Sequence, residues 1–132
     1  MDTLSTREKN NTIILTTGLF DLLKDQIRRK KLSPFNESQL VEQLKYAKQV
    51  LRNEIPANVV DVNTKVQLLD LDTQTEFTKL FVGPHKARNK NGTTSIISPL
   101  GMALIGFTEG EEITWEMDGQ RKNYQILKVR SC

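Results

Sequence analysis

Between Ser95 and Gly110 the chain reads SIISPLGMALIGFTEG, and this stretch limits the possible folds more than any other. A β-branched pair, Ile96 and Ile97, runs into Ser98-Pro99. Six residues follow, Leu100 to Ile105, before Gly106, and four of them (Leu100, Met102, Leu104 and Ile105) are large and apolar. Proline suits the first turn of a helix because the N–H it lacks has no intrahelical acceptor there, and glycine suits the stop. A helix this short and this apolar cannot sit on a surface. It must lie across an apolar sheet built by the flanking strands. The expectation is a strand, a single short helix capped by Ser98, and another strand.

The remaining elements follow from periodicity. Residues 1–12 are polar and unpatterned, and Ile13 to Leu15 is a short apolar run. Thr16 and Thr17 are candidate N-caps. Leu19, Phe20, Leu22, Leu23 and Ile27 form a helical stripe. Arg28-Arg29-Lys30-Lys31 closes it, where cations suit the negative end of the helix dipole. Asn36 and Gln39 have the spacing of a capping box. Leu40, Leu44, Ala47 and Leu51 then make a narrow seam suited to one partner helix. Two helices of roughly 15 residues with a short loop between them imply an antiparallel hairpin about 22 Å long. Asn53-Glu54-Ile55-Pro56 marks a boundary, giving a helical segment 1–54 and a second domain 55–132.

Beyond it the period becomes that of strands. Lys65–Leu71 is a strand whose apolar parity switches between Leu68 and Leu69, which predicts a bulge or a twist. Asp72-Thr73 turns into Glu76–Val82. A basic loop containing His85, Lys86, Arg88 and Lys90 follows. Glu111–Met117 alternates cleanly, Asp118-Gly119 is a hairpin turn, and Asn123–Val129 closes the sheet. The fold class is α+β: a short N-terminal antiparallel helical hairpin, then an antiparallel β-sheet domain with one short helix.

Several classes are disfavoured by what the sequence lacks. No apolar run approaches the roughly 20 residues of a membrane helix, and the N-terminus has no signal-peptide pattern. The single cysteine, Cys132, allows no intrachain disulfide, and one histidine with one cysteine offers no zinc set. No cofactor or metal is expected, and a cytoplasmic location is the default. A net charge of +3 permits contact with nucleic acid without requiring it.

Four blocks in the second half carry a family resemblance: NTKVQLLDLDT (Asn63–Thr73), SPLGMALIG (Ser98–Gly106), Gly110, and ITWEMDGQRKNYQILKV (Ile113–Val129). In order and spacing they resemble the C-terminal domain of the Gre-type transcription elongation factors, which has an FKBP-like fold. That resemblance covers roughly residues 55–130. It implies bacterial RNA polymerase as partner, with docking at the rim helices of the largest subunit beside the secondary channel. Any contact with nucleic acid, DNA included, would be indirect. Cleavage-stimulating Gre factors carry a long coiled coil with acidic residues at its tip, which help bind a catalytic magnesium. Here the hairpin is short and its tip, RRKKLSPFNES (Arg28–Ser38), is basic, with Glu37 its only carboxylate. The layout is more similar to the Rnk branch, a Gre-like protein with a stunted coiled coil, which implies polymerase binding without cleavage. A transcript-cleavage factor and an FKBP-like peptide-binding module are the alternatives.

The candidate site residues fall in two groups. Ser98, Pro99, Leu100 and Gly101 are a strand-to-helix turn and, by the resemblance, a polymerase-docking surface. Arg28, Arg29, Lys30, Lys31, Phe35 and Glu37 form the hairpin tip, which reads as a solvated helix end or an electrostatic contact. No interleaved aromatic supports base stacking there. His85 alone is no catalytic signal, since general acid–base work needs an orienting partner, and the chain is expected to be no enzyme. Trp115 and Tyr124 are expected to pack together in the sheet. Glu109, Glu111, Glu112 and Glu116 read as a solvated face. A monomer or weak dimer is expected.

Overall fold

The computed structural model describes residues 12–88 and 92–131, so the readings for residues 1–11, Asn89, Lys90 and Cys132 lie outside the described residues. The chain divides into two compact units between Ile55 and Pro56.

The first unit opens with β1 (Ile14–Thr16) and α1 (Thr17–Arg28). Thr16 is the N-cap. Its backbone is extended and its Oγ1 accepts the Leu19 N–H at 3.3 Å. The next helix, α2 (Pro34–Lys45), is capped by Ser33, whose Oγ accepts the Asn36 N–H at 3.1 Å. The capping box expected at Asn36 is therefore one turn too late, and Asn36 lies buried inside the first turn. Proline decides the start: its fixed φ preorganises a first turn directly after an extended serine.

The seam Leu40, Leu44, Ala47 and Leu51 also overstates α2. The helix stops at Lys45, and β2 (Lys48–Val50) pairs in parallel with β1 through Ile14↔Lys48, Leu15↔Gln49 and Thr16↔Val50. β1 needs a partner for its backbone groups, and a helix continued past Lys45 would supply none. Leu51 is left 68% exposed. Each helix has 12 residues and spans about 18 Å, not 22. Among the described residues, Ile13, Leu15, Leu19, Leu23, Leu40 and Leu44 are the unit's buried apolar residues.

The second unit is a five-stranded sheet with one short helix. Its strands are β3 (Thr64–Asp70), β4 (Thr75–Val82), β5 (Thr93–Ser95), β6 (Glu112–Met117) and β7 (Gln120–Ser131), in the order β5-β4-β3-β7-β6. All neighbours are antiparallel except β4 and β5, which run parallel through Leu80↔Thr93, Phe81↔Thr94 and Val82↔Ser95. The sheet is thus mixed where an antiparallel one was expected. The passage from Gly83 to Gly92 is long enough to carry the chain back along β4 in the same sense. Ile96 and Ile97 are turn residues, not strand, and Ile96 is fully buried.

The predicted bulge exists, but on the partner strand. Along β3, Thr64, Val66 and Leu68 are buried in regular alternation. Its register with β7 jumps from Gln67↔Lys128 to Leu68↔Ile126, so Leu127 is the extra residue. The β6–β7 hairpin turns through Asp118 and Gly119, both at positive φ (54° and 78°), as a two-residue I′ turn requires. Trp115 and Tyr124 are both buried on paired strands, with Lys122 directly opposite Trp115 and Ile113 directly opposite Tyr124. The Tyr124 ring meets Phe77 edge-on at 5.9 Å. β3 holds them together, since Leu68 pairs with Phe77 and Asp70 with Tyr124.

Burial pushes the Tyr124 phenol above its ordinary value of 10.0, and the nearby Asp70 and Asp72 charges add to the push. The folded state therefore holds this proton more tightly than the unfolded one. That stability is fully present below the unfolded pKa and is lost as pH rises through the folded one. Alkaline unfolding followed by circular dichroism should show a shallower loss of stability above pH of about 10 for Tyr124→Phe than for the parent.

Candidate functional site

Two surfaces carry the sequence candidates, one in each unit. In the second unit the helix α3 (Pro99–Leu104) begins at Ser98, whose Oγ accepts the Gly101 N–H at 3.2 Å. Ser98 is fixed from behind, because its own N–H donates to the Ser95 carbonyl at 3.0 Å and its carbonyl accepts the Met102 N–H at 2.9 Å. The start of α3 is thus the same Ser-Pro device that opens α2.

Of the four candidate docking residues, Pro99 is exposed and Ser98 and Leu100 are half-buried. Gly101 is buried and lies against the preceding turn. A Cβ built on it would stand 2.3 Å from the Ile96 carbonyl oxygen, 2.6 Å from the Ile96 carbonyl carbon and 2.8 Å from the Ser95 carbonyl oxygen. Its part is to seat the helix, which leaves Ser98, Pro99 and Leu100 as the face available to a partner. From Gly101 to Phe107 every residue is buried, so the block behind that face is core.

Two glutamates expected on a solvated face are structural instead. Glu111 Oε2 accepts both the Thr108 N–H at 2.7 Å and the Thr108 hydroxyl at 2.8 Å. Glu109 Oε2 accepts the Val129 N–H at 2.8 Å. They fasten the segment after α3, which also bridges Val59 through Thr108. Glu112 is exposed, and Glu116 pairs with Arg121 at 3.3 Å. Glu111→Ala leaves two donors at Thr108 without their acceptor, which costs about 2 kcal/mol. A fall in melting temperature of roughly 10 °C is expected in a calorimetric scan, and no change would mean that water replaces the carboxylate.

The hairpin tip is basic but largely engaged. Asp25, which the sequence reading missed, accepts from Arg29 at 2.8 Å and from Arg28 at 3.4 Å. The Arg29 hydrogen bond holds its carboxyl below the usual range against an opposing desolvation, and the charges of Arg29 and Arg28 add to the lowering. Glu37 pairs with Lys30 at 3.4 Å. A run of four cations with an acid three or four residues before two of them was the available signal for Asp25. Lys31 is exposed and Phe35 is half-buried. The two carboxylates at the tip thus face cations. Among the described residues no group of three His, Cys, Asp or Glu could hold a metal ion, and no helix is long and apolar enough to cross a membrane. His85 lies in a short 3-10 turn (Pro84–Lys86), where its carbonyl accepts from Arg88 at 3.2 Å.

A family model described as transcription elongation factor, GreA/GreB, C-term, matches residues 55–131. The chain belongs to the GreA/GreB family. The matched residues take in the whole sheet, α3 and the Ser98 turn. The transcription elongation factor GreA of Thermodesulfovibrio yellowstonii is 40% identical over 77 residues, which are 58% of this chain and 49% of that protein. The chain spans about half the length of the curated relatives it matches. A solved prokaryotic transcription elongation factor GreA/GreB from Nitrosomonas europaea is 28% identical with a TM-score of 0.62, and the match covers 90% of this chain and 98% of that one. Thermus aquaticus Gfh1 matches with a TM-score of 0.51 over 92% of this chain and 99% of that one. At 18% identity that likeness shows the fold alone.

Proposed function

We propose that this GreA/GreB-family chain is an RNA polymerase-binding regulator of the Rnk type, with no chemistry of its own. The sheet unit docks through Ser98, Pro99 and Leu100 on the rim of the secondary channel, and the helical hairpin occupies the channel entrance. The observation that carries this reading is the hairpin itself. Its helices have 12 residues each, and both carboxylates at its tip are held by cations, Asp25 by Arg28 and Arg29 and Glu37 by Lys30. A magnesium ion would have to displace those partners against the local positive field.

The name GreA on the relatives favours a second reading, a transcript-cleavage factor. The family match begins at residue 55 and leaves the hairpin outside it. One experiment separates the two. Purified bacterial RNA polymerase core is used to retain the chain, and transcript cleavage is then followed on a backtracked complex. Retention with cleavage no faster than polymerase alone is expected. Retention with faster cleavage assigns the chain to the cleavage factors, with Glu37 and Glu42 the first residues to replace. Loss of retention overturns the docking.

A further inference from the structure

The two helices of the first unit bury one face and leave a second one open. Between them runs a groove of about 500 Å³, a size within the range of ligand sites. Its floor is apolar: Phe20 and Ile27 come from α1, Val41 and Leu44 from α2. Its rim is cationic, made by Lys24, Arg28, Lys30 and Lys45, and among the described residues no carboxylate lines it. These positions fall at helical spacing on both sides (20, 24, 27 on one helix; 41, 44, 45 on the other), so the groove follows the helix axes. Val41 is 46% exposed, and Tyr46, one residue beyond α2, is 61% exposed. Such exposure of large apolar side chains beside a groove marks an interaction surface.

We propose that this groove binds an acidic amphipathic helix of a partner protein, which lies between α1 and α2 as a third helix. Its apolar side chains would fill the floor at i, i+3, i+4 and i+7, and its flanking carboxylates would meet the rim. Charge selects this occupant. Lys24 and Lys45 make no ion pair among the described residues; Lys24 lies over the Phe20 ring at 5.6 Å and Lys45 over the Tyr46 ring at 5.9 Å. Arg28 and Lys30 are held by Asp25 and Glu37, so a second copy of the chain would bring its own unpaired Lys24 and Lys45 against these two, and like charges across an interface disfavour it. A single-stranded RNA would need open aromatic faces to stack on. The floor is mostly aliphatic, and a lysine ammonium lies over each nearby ring, Lys24 over Phe20 and Lys45 over Tyr46. The first 11 residues of this chain carry two acids, Asp2 and Glu8, balanced by Arg7 and Lys9, so they do not match the rim. The groove lies wholly in the first unit, and its occupancy does not depend on the Ser98 turn.

The test uses the full chain and a fluorescein-labelled peptide of about 16 residues, with leucines at the spacing above and glutamates flanking them. A counterpart with lysine for every glutamate and a uridine-rich RNA serve as competitors. Fluorescence anisotropy should show saturable binding of the acidic peptide only. It should weaken about tenfold in Val41→Glu and by a similar factor in Lys24→Glu/Lys45→Glu, and more salt should weaken it in the parent. Val41 and both lysines are exposed, and a circular dichroism melt checks that each variant keeps its fold. Amide shifts at Phe20, Ile27 and Leu44 should report the site directly. Equal binding of the acidic and lysine peptides, no binding of either, or an affinity unchanged by Val41→Glu overturns the proposal. So does RNA that displaces the peptide, or a dimer of the parent chain that Val41→Glu dissolves.

Discussion

Gly101→Ala is expected to lower the melting temperature by on the order of 10 °C, while the same change at Gly83 leaves it within a few degrees or raises it. At Gly101 the added methyl carbon would stand 2.3 Å and 2.6 Å from the Ile96 carbonyl atoms and 2.8 Å from the Ser95 carbonyl oxygen. All three are backbone atoms, so no rotamer change relieves the clash. Either α3 lifts off the preceding turn or the turn moves. The turn is itself held, by the Ile96 N–H donating to the Val82 carbonyl at 2.8 Å and the Ser98 N–H donating to the Ser95 carbonyl at 3.0 Å. Overpacking of this kind costs about 3 kcal/mol. At Gly83 nothing lies within 4 Å of the added carbon, and its φ of −61° is open to any residue. Calorimetry on the two variants decides the matter. A melting temperature for Gly101→Ala within about 2 °C of the parent would show that the Ser95–Ile97 turn yields.

That contrast also shows what the residues themselves revealed. Ser98-Pro99 announced α3 because four large apolar residues follow at once and Gly106 stops them. Ser33-Pro34 uses the same cap and the same proline, yet the start was set at Asn36, because a run of cations precedes the serine and Asn36 with Gln39 offers a competing cap three residues later. Periodicity located the hairpin of β6 and β7 through Asp118-Gly119, since both residues must take positive φ and few pairs do so easily. It missed β2, a strand of three residues whose parallel partner β1 lies far away in sequence, and it set the strand before α3 at Ile96-Ile97 where β5 ends at Ser95. Strands that short carry no period, and only tertiary pairing defines them. The bulge was placed on the wrong strand for a related reason: a shift of register belongs to a pair, and one strand's parity does not say which member holds the extra residue.

Around α3 the Ser98 turn was legible as structure and its division of labour was not. Gly101 stands in the block as one small residue among apolar ones, and only the approach of the Ile96 carbonyl explains why it is small. Glu109 and Glu111 looked like surface charge because their acceptor roles depend on backbone N–H groups at Val129 and Thr108. Asp25 was hidden by counting acids only between Arg28 and Ser38, although a helix places residues three and four apart on one face.

On the proposed docking, Leu100→Asp is the change expected to weaken polymerase binding most while sparing the fold. Leu100 is the second residue of α3 and is half-buried, next to the exposed Pro99. A carboxylate in a first helical turn meets open N–H groups, which is worth a few tenths of a kcal/mol. That gain offsets part of the lost apolar burial, so the melting temperature should stay within about 5 °C of the parent. At the interface there is no such compensation. An apolar side chain at the centre of a contact contributes about 2 kcal/mol, which is roughly a 30-fold change in dissociation constant, and a desolvated charge adds to that loss. The tip should behave differently. Lys31→Glu alters an exposed charge at the end of a hairpin, and such changes act on association rate and salt dependence more than on affinity, so less than a fivefold effect is expected. Titration of both variants against polymerase core separates the two surfaces. A Leu100→Asp chain that melts normally and binds as the parent does would remove the Ser98 turn from the interface, and a Lys31→Glu chain weakened more than Leu100→Asp would move the principal contact to the hairpin.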